Sequence, residues 1–311
     1  MQPPLTASTT YRGRFAPTPS GPLHFGSLVT AVASWLEARS HQGQWLVRME
    51  DLDPPREAPG AADHILHTLE AFGLTWDGSV MYQSQRHAAY QQQLDQLIQA
   101  GHAYPCSCSR KALEGHHRYP GWCRSAPQHP DQPLAWRLRV DDQVSVQWQD
   151  QVQGPQCWPL QQAGDVVIRR KDQLWAYQLA VVVDDLKQGM THILRGIDLI
   201  DSTPWQIWLQ VCMGRANSDA PAFQYAHLPV IVNAVGQKLS KQNLAPALDT
   251  ARISSLLMLA LQALGQQPDP ALQQETPETL LHEAIHFWQL DKVPAVAAIS
   301  ETDLKPCISI A

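Results

Sequence analysis

No stretch of 18 apolar residues occurs in this 311-residue chain, so no membrane-spanning helix is expected. The opening residues, Met1 to Thr10, are polar and lack the apolar centre of a secretory signal, which makes a cytoplasmic chain the expectation. Basic charge is not in excess. Lys and Arg number 23 against 29 Asp and Glu, for a net charge of −6. An extended nucleic-acid-binding face is therefore not expected, and the balance suits an enzyme of small molecules. A small local basic footprint is still compatible with it. Cysteine is scarce: Cys106, Cys108, Cys123, Cys157, Cys212 and Cys307 are all there are, and only the first three cluster. In a cytoplasmic chain, metal ligation or buried free thiols are expected before disulfides. Internal repeats and long low-complexity linkers are also missing.

What is present is an ordinary globular composition, 44% hydrophobic and 17% charged, long enough for one large domain or two. Residues 11–16 read as a strand and 26–39 as a helix with Leu28, Val29, Val32, Trp35 and Leu36 on one stripe. A second strand, 45–49, runs into Glu50 and Asp51. Helices follow over 60–72, stopped by Gly73, and over 85–100, ending at Gly101. This βαβα order predicts an α/β fold with a parallel, Rossmann-like sheet. The pattern breaks over 104–190, where short strands, prolines and the cysteine cluster read as an inserted subdomain. It resumes with a strand at 192–195, a helix opened by Thr203 and Pro204 as cap and first residue, and a strand over 224–232. Helical stretches near 251–264 and 277–289 close the chain. The expected organisation is thus a first catalytic half at 11–103, an insertion at 104–190, a second half at 191–245 and a helical region at 246–311.

Two short segments carry the chemistry. Leu23-His24-Phe25-Gly26 follows a Pro/Gly turn and opens a helix, where backbone N–H groups and an imidazole favour phosphate. About 210 residues later, Gln237-Lys238-Leu239-Ser240-Lys241 offers two lysines suited to a polyphosphate leaving group. In this order they resemble the HIGH and KMSKS motifs of the class I aminoacyl-tRNA synthetases. The resemblance implies activation of a carboxylate by ATP, with Mg²⁺ bridging the phosphates. His24, Lys238 and Lys241 would be catalytic, and His24, Gly26 and Lys241 would bind ATP. Such chemistry is mostly positioning and electrostatics.

The resemblance sharpens to the glutamyl branch of that class. Arg14-Phe15-Ala16-Pro17-Thr18-Pro19-Ser20-Gly21 looks like its signature, and Val47-Arg48-Met49-Glu50-Asp51-Leu52-Asp53 resembles its R-I-E-D-x-D strand end. In this set Arg14 offers a bidentate fork to a carboxylate and Glu50 an acceptor to an α-ammonium. Phe15, Ala16, Pro17 and Thr18 would line the glutamate pocket. Tyr177 and Arg195 match family positions that contact the amino acid.

Cys106 and Cys108, with Cys123 fifteen residues further on, suit a structural tetrahedral zinc site. Three buried free thiols are the alternative, and nothing nearby supplies the base of a catalytic zinc. His116, His117, Tyr119 and water all remain open as fourth ligand. The family resemblance implies Tyr119.

Within the branch the chain is similar to a short paralogue of glutamyl-tRNA synthetase. Only 70 residues follow Lys241, so no anticodon-binding domain is expected. The resemblance implies that L-glutamate is activated without tRNA. It would then be transferred to queuosine at the wobble position of tRNA(Asp), with the anticodon stem-loop as partner and a monomer as the working unit. The alternatives are a truncated glutamyl-tRNA synthetase acting on tRNA(Glu) and a regulatory paralogue without catalysis.

Overall fold

The computed structural model describes residues 10–141, 143–239 and 245–304. Strand β1 (Arg12–Phe15) leads through a proline-rich loop into helix α1 (Phe25–Ser40). Strand β2 (Gln44–Met49) pairs parallel with β1, and helix α2 (Ala61–Ala71) carries the chain to strand β3 (Met81–Tyr82), parallel with β2. Helix α3 (His87–Gln99) and strand β4 (Ala103–Cys106) follow. Next come β5 (Ala135–Leu138), β6 (Ser145–Asp150), β7 (Gly154–Pro159), the short helix α4 (Leu160–Ala163) and β8 (Val166–Arg169). Helix α5 (Tyr177–Gln188), strand β9 (His192–Gly196), helix α6 (Thr203–Cys212), and strands β10 (Gln224–Leu228) and β11 (Val230–Val232) return to the parallel pattern. Helices α7 (Ile253–Ala263) and α8 (Pro277–Phe287) and strand β12 (Ala298–Ser300) complete the described chain.

The parallel sheet changes direction of growth in its middle. From β1 it grows one way through β2 and β3; β9 lies on the other side of β1, followed by β10 and β6. The Thr191 N–H donates to the Arg12 carbonyl at 3.0 Å where β9 begins beside β1. In such a sheet the crevice beyond the carboxyl ends, at the change of direction, is where ligands sit.

Several expectations need correction. Helix α1 buries Leu28, Val29 and every residue from Ala31 to Ala38, rather than a single stripe, because α7 and α8 cover its outer side. The stretch 104–190 is not one separate unit. Strands β4, β5 and β8 form an antiparallel sheet of their own, whereas β6 pairs with β10 and so joins the central sheet. The strand anticipated over 224–232 is cut by Pro229 into β10 and β11, which belong to different sheets. Proline has no N–H to give a ladder. Thr203 is the first helical residue of α6 rather than its cap, and its hydroxyl is used elsewhere. Thr276, in contrast, does cap α8, accepting the Thr279 N–H at 3.3 Å.

Candidate active site

The carboxyl ends of β1, β2, β9 and β10 open onto one cavity of about 510 Å³. The loop after β1 is held open by backbone bonds to the loop after β2: Glu50 N–H to the Pro17 carbonyl and Ala58 N–H to the Pro19 carbonyl, both 3.0 Å. Arg14, Phe15, Ala16, Pro17, Thr18, His24, Gly26, Glu50, Tyr177, Arg195 and Lys238 all line this space. Every sequence-predicted pocket residue within the described chain is therefore brought together. Lys241 lies outside the described residues.

At one end, His24 occupies the cap position of α1, with Nδ1 accepting the Ser27 N–H at 3.2 Å. Its ring thus stands beside the helix N-terminus, where unpaired N–H groups and the helix dipole favour an anion. Gly26 keeps that approach close. A Cβ there would meet the His24 ring at 3.3 Å and the Leu239 carbonyl at 3.7 Å. Lys238 is delivered by a turn off β11, in which Leu239 N–H returns to the Ile231 carbonyl at 2.8 Å. Its Nζ donates to Asp198 at 2.5 Å. Asp198 stands just past β9 and was not singled out by motif.

The other end is dominated by arginine. The Arg14 fork is committed inside the protein, where a free fork had been expected. Nε and Nη2 engage both oxygens of Asp185 at 3.1 and 3.4 Å, and Nη1 donates to the Leu194 carbonyl at 3.3 Å. Arg48, fully buried, also donates to Asp185 at 2.7 Å and reaches Glu50 at 3.4 Å. Burial opposes the Asp185 charge, but the two guanidinium groups outweigh it and hold the carboxyl below its ordinary range. Burial dominates at Glu50 and raises its pKa against the pull of Arg48 and Arg14.

Arg195 has a different environment. Nε donates to His227 Nε2 at 3.1 Å, Nη1 to the Tyr177 hydroxyl at 3.2 Å and Nη2 to the Thr203 hydroxyl at 2.7 Å. Among the described residues it forms no ion pair with a carboxylate, although it is only 4% exposed. Buried charges are normally paired, because desolvation is costly. A buried guanidinium with neutral partners, on the wall of a cavity, is complementary to a carboxylate that enters it.

The cysteine cluster is separate from this cavity. The thiols of Cys106, Cys108 and Cys123 lie within 4.8 Å of one another. The Tyr119 hydroxyl is 3.4 Å from Cys106 Sγ and 3.5 Å from Cys108 Sγ, and Cys108 and Cys123 are 3.6 Å apart. Two sulfurs on a tetrahedral zinc, each at about 2.3 Å, would be about 3.8 Å apart. The donor set therefore fits such an ion, with Tyr119 on the spot. His116 and His117 are exposed, and no histidine joins the thiol group among the described residues. Burial opposes the Cys123 thiolate, but hydrogen bonds from Tyr119, Gln128 and Ser107 prevail and lower its pKa to about 6. Burial lifts Cys108 to about 11. Arg137, missed in the sequence, stacks its guanidinium 3.9 Å from the Tyr119 ring centre and donates to Cys106 Sγ at 3.3 Å.

Residues 10–259 match the model of the class I tRNA synthetases (E and Q), catalytic domain, and the chain belongs to that family. A glutamyl-Q tRNA(Asp) synthetase of Pseudomonas entomophila is 51% identical over 95% of this chain and 98% of its own length. A protein of the same name from Neisseria meningitidis serogroup B is 52% identical over 91% of this chain and 97% of its own. The crystal structure of a glutamate tRNA ligase from Elizabethkingia meningosepticum, in complex with its amino acid, superposes with a TM-score of 0.78. It is 24% identical, and the match covers 95% of this chain and 68% of that one.

Proposed function

We propose that this chain activates glutamate with ATP and passes the glutamyl group to queuosine at the wobble position of tRNA(Asp). The observation that carries the reading is Arg195: a buried guanidinium with no carboxylate partner among the described residues faces a cavity whose far end holds His24, Lys238 and a helix N-terminus. One end suits a side-chain carboxylate and the other a polyphosphate. The names of relatives about half identical over nearly their whole length support the choice of acceptor.

In the first step an α-carboxylate oxygen of glutamate attacks the α-phosphorus of ATP. The bond to pyrophosphate breaks, leaving glutamyl-adenylate. His24 and the N–H groups of α1 bind phosphate oxygens, and Lys238 with Lys241 neutralises the departing pyrophosphate. Mg²⁺, where it accompanies the nucleotide, would supply further positive charge to the phosphates. Arg195 and Tyr177 hold the glutamate side chain, while Glu50 faces the ammonium. Arg14 acts by locking Asp185, which in turn anchors Arg48, and Arg48 reaches Glu50. In the second step a queuosine hydroxyl attacks the acyl carbon and AMP leaves. Cys106, Cys108, Cys123 and Tyr119 would hold a structural zinc, which would supply no chemistry to either step. The chain works as a monomer, and the anticodon stem-loop suffices as acceptor.

The test is to incubate the protein with ATP, labelled glutamate and tRNA(Asp) with or without queuosine, then locate the label after nuclease digestion. Label is expected on the queuosine nucleotide only, with glutamate-dependent ATP–pyrophosphate exchange running in the absence of tRNA. Label on a terminal adenosine, or on tRNA(Glu), overturns the reading in favour of a truncated glutamyl-tRNA synthetase.

A further inference from the structure

Behind Arg195 lies a buried polar chain whose own members do not line the cavity. His227 on β10 and Asp150 at the end of β6 are both fully buried, as is Thr203. Asp150 Oδ2 and His227 Nδ1 are 2.5 Å apart. The other Asp150 oxygen accepts the backbone N–H groups of Val152, Gln153 and His227 at 3.0 to 3.1 Å. This carboxylate is thereby ionised and immobile. Arg195 Nε can only donate, so the His227 Nε2 facing it at 3.1 Å must accept. The ring is then neutral, with its proton on Nδ1 and directed at Asp150. The Thr203 hydroxyl accepts from Arg195 Nη2 at 2.7 Å and stands 3.0 Å from the same Nε2.

The geometry points to the Asp150–His227 pair as the device that positions Arg195 for the substrate carboxylate. This rests on the reading of Arg195 as the glutamate anchor. Asp150 selects the tautomer, the tautomer presents an acceptor, and the acceptor fixes one edge of the guanidinium plane. Thr203 fixes a second position, which leaves the Nη1 side turned to Tyr177 and the cavity. A neutral acceptor achieves this without quenching the charge, as a carboxylate in the same place would. Asp185 shows that alternative at Arg14, where a carboxylate shared with Arg48 occupies the fork. His227 and Asp150 are positioning residues: neither lines the cavity.

The experiment measures ATP–pyrophosphate exchange in the full-length chain, with KM for glutamate and for ATP taken separately. Arg195→Lys sets the reference and is expected to raise the glutamate KM 10-fold or more. His227→Leu should raise it by about 10- to 100-fold while the ATP KM stays within about 3-fold, the scale on which loss of a supporting contact is felt. His227→Gln, whose amide oxygen can replace Nε2 as acceptor, should recover most of the loss. Nitrogen-15 spectra of the wild-type protein should show the Nδ1–H tautomer of His227. In Asp150→Asn, whose amide can donate to Nδ1, the proton should move to Nε2 and the glutamate KM should rise. An unchanged glutamate KM in Arg195→Lys overturns the assignment of Arg195, and this proposal with it. A raised KM there with no change in His227→Leu overturns the positioning role alone. Should His227→Leu not fold, a wild-type Nε2–H tautomer, or an unaltered glutamate KM in Asp150→Asn, overturns it instead.

Discussion

Two arginines of one cavity show how far a residue's role depends on what it meets. Arg14 and Arg195 were both read as partners for glutamate, but Asp185 occupies the fork of the first, while among the described residues the second donates to His227, Tyr177 and Thr203 and to no carboxylate. Neither Asp185 nor His227 carries a local signal that distinguishes it: Asp184, one residue earlier, instead ties α5 to Gln83, Arg86 and Tyr90. A second residue-scale consequence concerns pH. His192 stacks on Tyr11 with ring centres 4.1 Å apart, and Tyr11 stacks on His41 at 5.1 Å. Burial first, and the charge of His41 second, lower the His192 pKa to about 4. A histidine in the unfolded chain titrates near 6.5, so between these values the unfolded state binds a proton that the native state refuses. Stability from this group is complete above pH 6.5 and is lost as pH falls toward 4, on the order of 1–2 kcal/mol over the window for a ring that water partly reaches. His192→Phe keeps the stack and removes the proton site. Urea unfolding at pH 7 and pH 4.5 is expected to show a steeper loss for the wild type by roughly that amount. Parallel losses in the two proteins would exclude His192 as the source.

At the scale of elements, helix ends were the best-marked features and strand partners the worst. The stop after α2 and the start of α8 are local chemistry, a left-handed glycine and a threonine cap, so they stand out in the sequence. The break at Pro229 is also local, but the assignment of β11 to β12 rather than β10 depends on residues 68 positions away, whose alternation is no different from any other short strand's. Two glycines separate conformation from contact. Gly214 after α6 and Gly265 after α7 have nearly equal φ values, +67° and +72°. A Cβ at Gly214 meets open space, while one at Gly265 would overlap the Lys292 carbonyl. Gly214→Ala is expected to cost about 1 kcal/mol, the strain of a left-handed side chain alone. Gly265→Ala should exceed it by about 1–3 kcal/mol, because backbone must move. Chemical denaturation of both variants checks this, and equal costs would show that the Lys292 segment yields freely.

The whole molecule combines a catalytic crevice with a thiol-rich satellite that does not touch it. Tyr104, Cys106, Tyr119 and Cys123 form a small buried cluster, with Cys108 packed against it. Cys108→Ser is expected to reduce bound zinc from about one equivalent to below a tenth, since three donors rarely hold a structural ion. Faster hydrogen exchange should appear first within 104–125, while glutamate-dependent ATP–pyrophosphate exchange stays within a few-fold. Metal content equal to wild type would remove Cys108 from the site, and collapse of exchange activity would join the cluster to the crevice. The net charge of −6 also becomes intelligible at this scale. Arg14, Arg48 and Arg124 are matched by buried Asp185 and Asp165, so much of the charge of both signs is internal structure and says little about the surface a partner meets.

The sequence alone determined which segments are helix or strand over most of the parallel sheet, where the Pro/Gly turn that opens α1 lies and which thiols gather, while several of the cavity's side chains were legible only through the resemblance of their motifs to a family. Periodicity, capping and motif spacing are properties of neighbours in the chain, and they can be read there. Only the tertiary structure decided that β6 joins the central sheet, that Tyr119 rather than His116 or His117 meets the thiols, that Asp185 closes the Arg14 fork and that His227 stands behind Arg195. Those contacts join residues 13 to 171 positions apart. Their physical basis is the satisfaction of buried charges and donors, a requirement that takes effect only once the chain has folded and water has been excluded.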